Sequence, residues 1–280
     1  CPRKAQGFMA PGARISNPPP RLPTGGVANQ ITQCRKAKRW SEALSLFQEY
    51  KKRTKQPVLN YNAAVSACAA GAGWRRGIGL VEEMKAERTL PDVITYNAAI
   101  AACEKGGCVE EALKMFGELR ERHKPDVIGF SAAVSACGVV GDWRRGLGLV
   151  EEMKVERTLP NLITYSAAIT ACEKGGCVEE ALKLFGELRE RHKPNVIGLN
   201  AAVSACGVVG DWRRGVGLVE EMKAGRTLPN VTTYNAAITA CEKGGCVEEA
   251  LKVFGELRER HKPDVISFNA AVSACSVVGN

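Results

Sequence analysis

From Tyr96, apolar side chains return at Ala99, Ile100 and Cys103, the i, i+3, i+4, i+7 spacing of one face of an amphipathic helix. The pair Gly106-Gly107 predicts its end. A second stripe follows at Val109, Ala112, Leu113, Phe116 and Leu119, with Glu110, Glu111, Lys114 and Glu118 facing away. Pro125 closes the pair, because proline cannot continue a helix.

This helical pair recurs along the chain. Segment 93–126, VITYNAAIAACEKGGCVEEALKMFGELRERHKPD, returns at 162–195 and 231–264 with few changes. A second type, VIGFSAAVSACGVVGDWRRGLGLVEEMKVERTLPN at 127–161, also fills 58–92 and 196–230. Aligning Trp40 with Val109 gives a degenerate first unit at about 24–57, and a partial eighth, 265–280, opens at Val265. One hairpin cannot bury both of its stripes, so neighbours must stack and share a core. The expected fold is all-α, an α-solenoid of stacked helix-turn-helix repeats of 34–35 residues with a concave face. Trp74, Trp143 and Trp212 occupy the Val109 position of the second type, a core register, so they read as packing residues and not as platforms for bases. Gly77, Gly79, Gly146, Gly148, Gly215 and Gly217 lie inside second helices. Each costs about 0.5–1 kcal/mol relative to Ala, so this layer is expected to be the less rigid one.

The repeat changes how the cysteines read. Cys34, Cys68, Cys103, Cys137, Cys172, Cys206, Cys241 and Cys275 stand 34 or 35 residues apart, and Cys108, Cys177 and Cys246 every 69. Each set holds one place in the unit, and the C-x4-C pairs lack the second pair that a zinc site needs. They read as small core residues in a reducing compartment, with no metal and no cofactor implied. A net charge of +9 points to a polyanionic partner. No apolar run approaches the roughly 20 residues of a membrane span. No Asp or Glu precedes Glu42, whereas Arg3, Lys4, Arg14 and Arg21 do. Residues 1–23 are therefore either a disordered basic, proline-rich leader or the remnant of an organelle transit peptide.

One stripe of the first helix does not belong to the core. Ile94, Asn97, Ala101 and Lys105 lie at i, i+3, i+7 and i+11, and later units repeat the pattern: Ile128 with Ser131, Ile163 with Ser166, Ile197 with Asn200, Thr232 with Asn235, Ile266 with Asn269. The expectation is an exposed row of aliphatic and amide or hydroxyl groups. The last residue of each unit is Asp92, Asp126, Asn161, Asn195, Asn230 or Asp264. Immediately before a helix, these are also good N-caps. Capping does not explain Asn or Ser at the fifth position, where both are mediocre helix formers.

The pattern V-I-T-Y-N-A-A-I…G-G-x-V-E-E-A-L-K-x-F…K-P-D resembles the pentatricopeptide repeat family over roughly 24–280. The resemblance implies a right-handed superhelix that binds single-stranded RNA and reads one base per repeat, 5′ to 3′ from the N-terminal end. The family's reading positions match the fifth and last residues of each unit. Its base-sandwiching position matches Leu59, Ile94, Ile128, Ile163, Ile197, Thr232 and Ile266. The chemistry agrees: Asp only accepts, which suits the imino N–H of U or G, while Asn also donates, which suits a ring acceptor of A or C. Ser at the fifth position leaves room for a purine, and Asn fits a pyrimidine. Asn62 with Asp92 and Asn97 with Asp126 then select U. Ser131 with Asn161 and Ser166 with Asn195 select A, Asn200 with Asn230 selects C before U, and Asn235 with Asp264 selects U. The expected target is 5′-UUAA(C/U)U-3′. Ala28 and Pro57 give the first unit no base, and Thr232 is the one polar sandwich residue.

Lys105, Lys174 and Lys243 end the stripe in alternate units and are candidates for phosphate contact. Enzymatic activity is not expected, since His123, His192 and His261 share one repeat position and no catalytic constellation accompanies them. The competing reading is a helical scaffold holding a protein or peptide in its groove. It does not require amide or hydroxyl groups to keep step with Asp or Asn. The family and the basic leader together place the protein in a chloroplast or mitochondrion. The array ends carry no obvious polar cap, which leaves self-association open.

Overall fold

The computed structural model describes residues 26–37, 39–51, 57–71, 73–225 and 227–276; the leader at 1–23 lies outside them. The described residues form fifteen helices and no strand. First helices are α1 (Gly26–Lys36), α3 (Pro57–Ala70), α5 (Val93–Lys105), α7 (Val127–Val140), α9 (Leu162–Lys174), α11 (Val196–Val209), α13 (Val231–Lys243) and α15 (Val265–Ser276). Second helices are α2 (Trp40–Tyr50), α4 (Trp74–Ala86), α6 (Val109–Arg122), α8 (Trp143–Val155), α10 (Val178–Arg191), α12 (Trp212–Ala224) and α14 (Val247–Arg260).

Each first helix packs on the first helices of both neighbours, and each second helix bridges the first helix of its own unit and the next. The chain is therefore an α-solenoid with a dense first-helix layer and a more open second-helix layer. The residues at the interface explain the asymmetry. First helices are lined with Ala and Cys, such as Ala64, Ala99, Ala133, Ala168, Cys103 and Cys172, all fully buried, and small side chains let helix axes approach closely. Tyr61, Tyr96, Tyr165 and Tyr234 fill the remaining volume between layers and are fully buried.

Second helices are joined across units by ion pairs instead. Lys85 reaches Glu118 at 2.5 Å, Arg120 reaches Glu152 at 2.6 Å, Lys154 reaches Glu187 at 2.7 Å, and Arg189 reaches Glu221 at 3.3 Å; Lys223 pairs with Glu256. The ladder occupies many of the acidic side chains on the outer layer.

Three expectations change in detail. Of the six glycines in the second helices of the second repeat type, Gly77, Gly146 and Gly215 are buried against cysteine and alanine Cβ atoms of the first helices, so half of them serve close approach. Gly79, Gly148 and Gly217 face open space. The tryptophans are packing residues, but half-buried ones. The Trp74, Trp143 and Trp212 indoles lie on the turn glycines of the next unit, where a Cβ on Gly106, Gly175 or Gly244 would come within 2.5 Å of an indole carbon. Glycine is required there because the ring occupies the Cβ position. The cysteines also divide. The set from Cys34 to Cys241 is buried, Cys275 is exposed, and Cys108, Cys177 and Cys246 are half-buried N-cap residues of second helices. Burial pushes the Cys103, Cys172 and Cys241 thiols up to about 12, which leaves them protonated and inert at neutral pH.

Candidate nucleic-acid interface

The second residue of each unit sits in the opening turn of a first helix, pointing away from the core. Leu59, Ile94, Ile128, Ile163, Ile197 and Ile266 are between 51% and 64% exposed, and Thr232 is exposed too. Six aliphatic side chains held half in water, interrupted at Thr232, form a row of short apolar walls. Between consecutive walls lie clefts. One of about 370 Å³ is bounded by Leu59 and Ile94, with Asn62 and Asp92 in its lining. Another of about 260 Å³ is bounded by Ile163 and Ile197, and Ser166, Asn195 and Lys174 line it. Residues from three sequence positions thus meet in one cleft, although they belong to two different units.

The last residue of each unit does two things with two atoms. Its Oδ1 caps the next helix: it accepts the backbone N–H of Thr95, Gly129, Thr164, Gly198, Thr233 or Ser267 at 2.8–3.0 Å. Such a cap is worth about 1 kcal/mol. Only oxygen can accept, so the amides of Asn161, Asn195 and Asn230 are oriented by this bond. The other atom is left over. At Asp126 and Asp264 it is Oδ2, an acceptor; at Asn161, Asn195 and Asn230 it is Nδ2, a donor. None of these five makes a hydrogen bond within the described residues. At Asp92 the second oxygen accepts from the Asn62 amide at 3.1 Å. At the other five units capping leaves the second atom without a partner among the described residues.

The fifth residues depart from the expected exposed row. Asn62, Asn97, Ser131, Ser166 and Asn235 are at most 8% exposed, Asn200 is half-buried, and Asn269 is exposed. Dense packing of first helices places this position at the seam between units, on the cleft floor rather than on its rim. There, in five of the units, it bonds to the last residue of its own unit. Asn97 Nδ2 donates to Asp126 at 2.9 Å, Asn235 Nδ2 to Asp264 at 3.1 Å, and Asn62 Nδ2 to Asp92 at 3.1 Å. Ser166 to Asn195, at 3.4 Å, and Asn200 to Asn230, at 3.5 Å, are longer. Fifth and last residues are therefore bonded to each other in five units; Ser131 instead contacts the Thr164 hydroxyl of the next unit at 2.7 Å.

Lys105, Lys174 and Lys243 are exposed on the same side. Lys174 donates to the Val139 carbonyl at 3.0 Å and Lys243 to the Val208 carbonyl at 3.3 Å. Each closes the C-terminal turn of the preceding first helix, a favourable place for a cation. Their charge already has a structural use, whereas Lys105 makes no such bond among the described residues.

Two sets of residues escape a sequence reading. His123, His192 and His261 direct Nε2 at the carbonyls of Pro91, Pro160 and Pro229, at 3.0–3.3 Å. A carbonyl only accepts, so Nε2 carries the proton, and each ring steadies the loop that ends in Asp92, Asn161 or Asn230. The second set is the hydroxyls of Thr95, Thr164, Thr233 and Ser267. They bond across the seam to the fifth residue of the preceding unit. Each Thr completes a capping box with the Asp or Asn before it, and its partner across the seam lies 33 residues upstream.

These features define a helical-repeat solenoid that presents one small polar pair and one aliphatic wall per unit along a single face. The chain belongs to the pentatricopeptide repeat family. The model for the pentatricopeptide repeat domain matches residues 45–106, 119–176, 183–244 and 217–277, and a single-repeat model matches 31–54, 94–123 and 163–192. Among solved structures, the chain is similar to the pentatricopeptide repeat protein PPR10 from maize, with 26% identity and a TM-score of 0.61 over 90% of this chain and 38% of that one. It is also similar in fold to the pentatricopeptide repeat domain of protein-only RNase P 1 from Arabidopsis thaliana, crystallised with tRNA. That match has 18% identity and a TM-score of 0.50 over 58% of this chain and 86% of that one. The chain spans 38% of the length of the maize protein it matches.

Proposed function

We propose that this array binds single-stranded RNA along its first-helix face, one base per unit, with the preference 5′-UUAA(C/U)U-3′. A base entering a cleft lies between consecutive aliphatic walls and presents its edge to the fifth and last residues. Single strands expose those edges, whereas a duplex hides them. The observation that carries the reading is the leftover atom of the last residue. It is an acceptor where the chain has Asp and a donor where it has Asn, and it is free after capping at five of six units. A peptide groove has no use for a donor or acceptor in step with every hairpin. The protein acts as a binding module in RNA processing, stability or translation within an organelle, and not as a catalyst.

The test is equilibrium binding to an eight-nucleotide RNA containing UUAACU and to its scrambled counterpart at one fixed salt concentration. Six matched clefts should favour the former by more than tenfold, since even one correctly paired edge is worth about 1 kcal/mol. Equal affinities would return the protein to the class of scaffolds.

A further inference from the structure

Three units carry the same reading pair but meet different neighbours. Asn62 with Asp92, Asn97 with Asp126 and Asn235 with Asp264 are chemically identical. The third residue of the following unit is Thr95, Gly129 and Ser267, respectively. Thr95 Oγ1 donates to Asn62 Oδ1 at 2.5 Å, and Ser267 Oγ donates to Asn235 Oδ1 at 2.6 Å. Each hydroxyl also lies 2.8–2.9 Å from the capping carboxylate, so its one proton is shared between the amide and the carboxylate oxygens. Beside Gly129 there is no hydroxyl. Asn97 Oδ1 is buried there without a partner, and a Cβ on Gly129 would lie only 2.7 Å from it. A side chain there would therefore have to move the Asn97 amide as well as reach its oxygen.

Resting on the RNA reading above, we propose that the third residue of the following unit is a positioning residue for base selection. A hydroxyl there makes a site strict, and glycine makes it permissive. An asparagine amide has two orientations that exchange donor and acceptor, so what a base meets depends on how firmly the amide is held. Asn62 and Asn235 are held at both ends, by a carboxylate on Nδ2 and a hydroxyl on Oδ1. Asn97 is held at Nδ2 alone. Its burial without a partner for Oδ1 also leaves a polar group unsatisfied, which favours any rotation that finds one. The Ser/Asn units show the same contrast. Ser131 contacts the Thr164 hydroxyl at 2.7 Å, while Ser166, opposite Gly198, makes only the 3.4 Å contact to Asn195.

The experiment uses the full chain and RNAs differing only at the second nucleotide of UUAACU, which faces Asn97 and Asp126. Gly129→Ser restores the hydroxyl that Ser267 supplies elsewhere, and Gly129→Ala adds the same Cβ without it. The preference for U should rise about three- to tenfold in Gly129→Ser, the effect of one neutral hydrogen bond, whereas Gly129→Ala, whose Cβ displaces the Asn97 amide without giving it a partner, should not raise it. A converse arm reads the sixth nucleotide: Ser267→Ala should lower the preference for U by a similar factor, and Ser267→Thr should keep it. Selectivity at the remaining positions serves as an internal control that a general loss of stability would not leave intact. If wild type selects U but neither arm changes the ratio, or Ser and Ala at 129 act alike, the positioning role is overturned and the RNA reading stands. If wild type discriminates at no nucleotide, both fall.

Discussion

Replacing Asn161 and Asn195 with aspartate is expected to convert the preference at two adjacent nucleotides from AA to GG. Both asparagines spend Oδ1 on the N-cap of the next helix and leave Nδ2 facing the cleft. An aspartate keeps the cap, because Asp and Asn are about equally good in that role. The change therefore leaves folding nearly untouched and alters one atom per site. A donor that matched the ring acceptor of adenine becomes an acceptor that repels it, and the same acceptor matches the imino N–H of guanine. Each site loses one hydrogen bond with A and gains one with G, at about 1 kcal/mol apiece. Over two sites the AA-to-GG affinity ratio should move by about three orders of magnitude. Competition binding with the two RNAs, alongside a thermal melt of the variant, reads this directly. A variant that melts like wild type and weakens both RNAs equally would contradict the assignment of the last residue.

The second large effect should be independent of sequence. Ile163 and Ile197 wall the same cleft and are 62% and 63% exposed, so neither contributes much to the core. Their Ala variants should fold normally and lose the apolar contact that a base makes on both faces. Three methyl or methylene groups leave each wall, at roughly 0.8 kcal/mol per buried group, reduced because an open cleft buries them only in part. The double variant is expected to bind about ten- to a hundredfold more weakly to UUAACU, and by the same factor to any singly substituted RNA. A loss confined to one base identity would mean that the walls read sequence, which aliphatic carbon cannot do by hydrogen bonding.

The two predictions separate what the sequence showed from what it hid. Hydrophobic spacing located the helices: Val93, Val127, Val196 and Val231 each open both a repeat and a helix, and Trp74, Trp143 and Trp212 each open a second helix. Ile94 and its counterparts lie off the core stripe, and the structure leaves them exposed. Periodicity reports which side of one helix faces inward, and nothing about which neighbour covers the other sides. The burial of Asn97 and Ser131 was therefore hidden, since it arises at a seam with the next unit. So was the bond from Lys174 to Val139, 35 residues upstream. The hydroxyl of Thr95 belongs to its own helix cap, where it accepts the Asp92 backbone N–H. Its second partner, Asn62, becomes visible only once the units are stacked.

Selection from a pool of random RNA by the unmodified chain tests the central claim most directly. The recovered sequences should converge on U-U-A-A-pyrimidine-U in that order, with the third and fourth positions purine and the rest pyrimidine. A pool that stays random, or a consensus whose purines fall opposite the Asn62, Asn97 or Asn235 pairs, would contradict it.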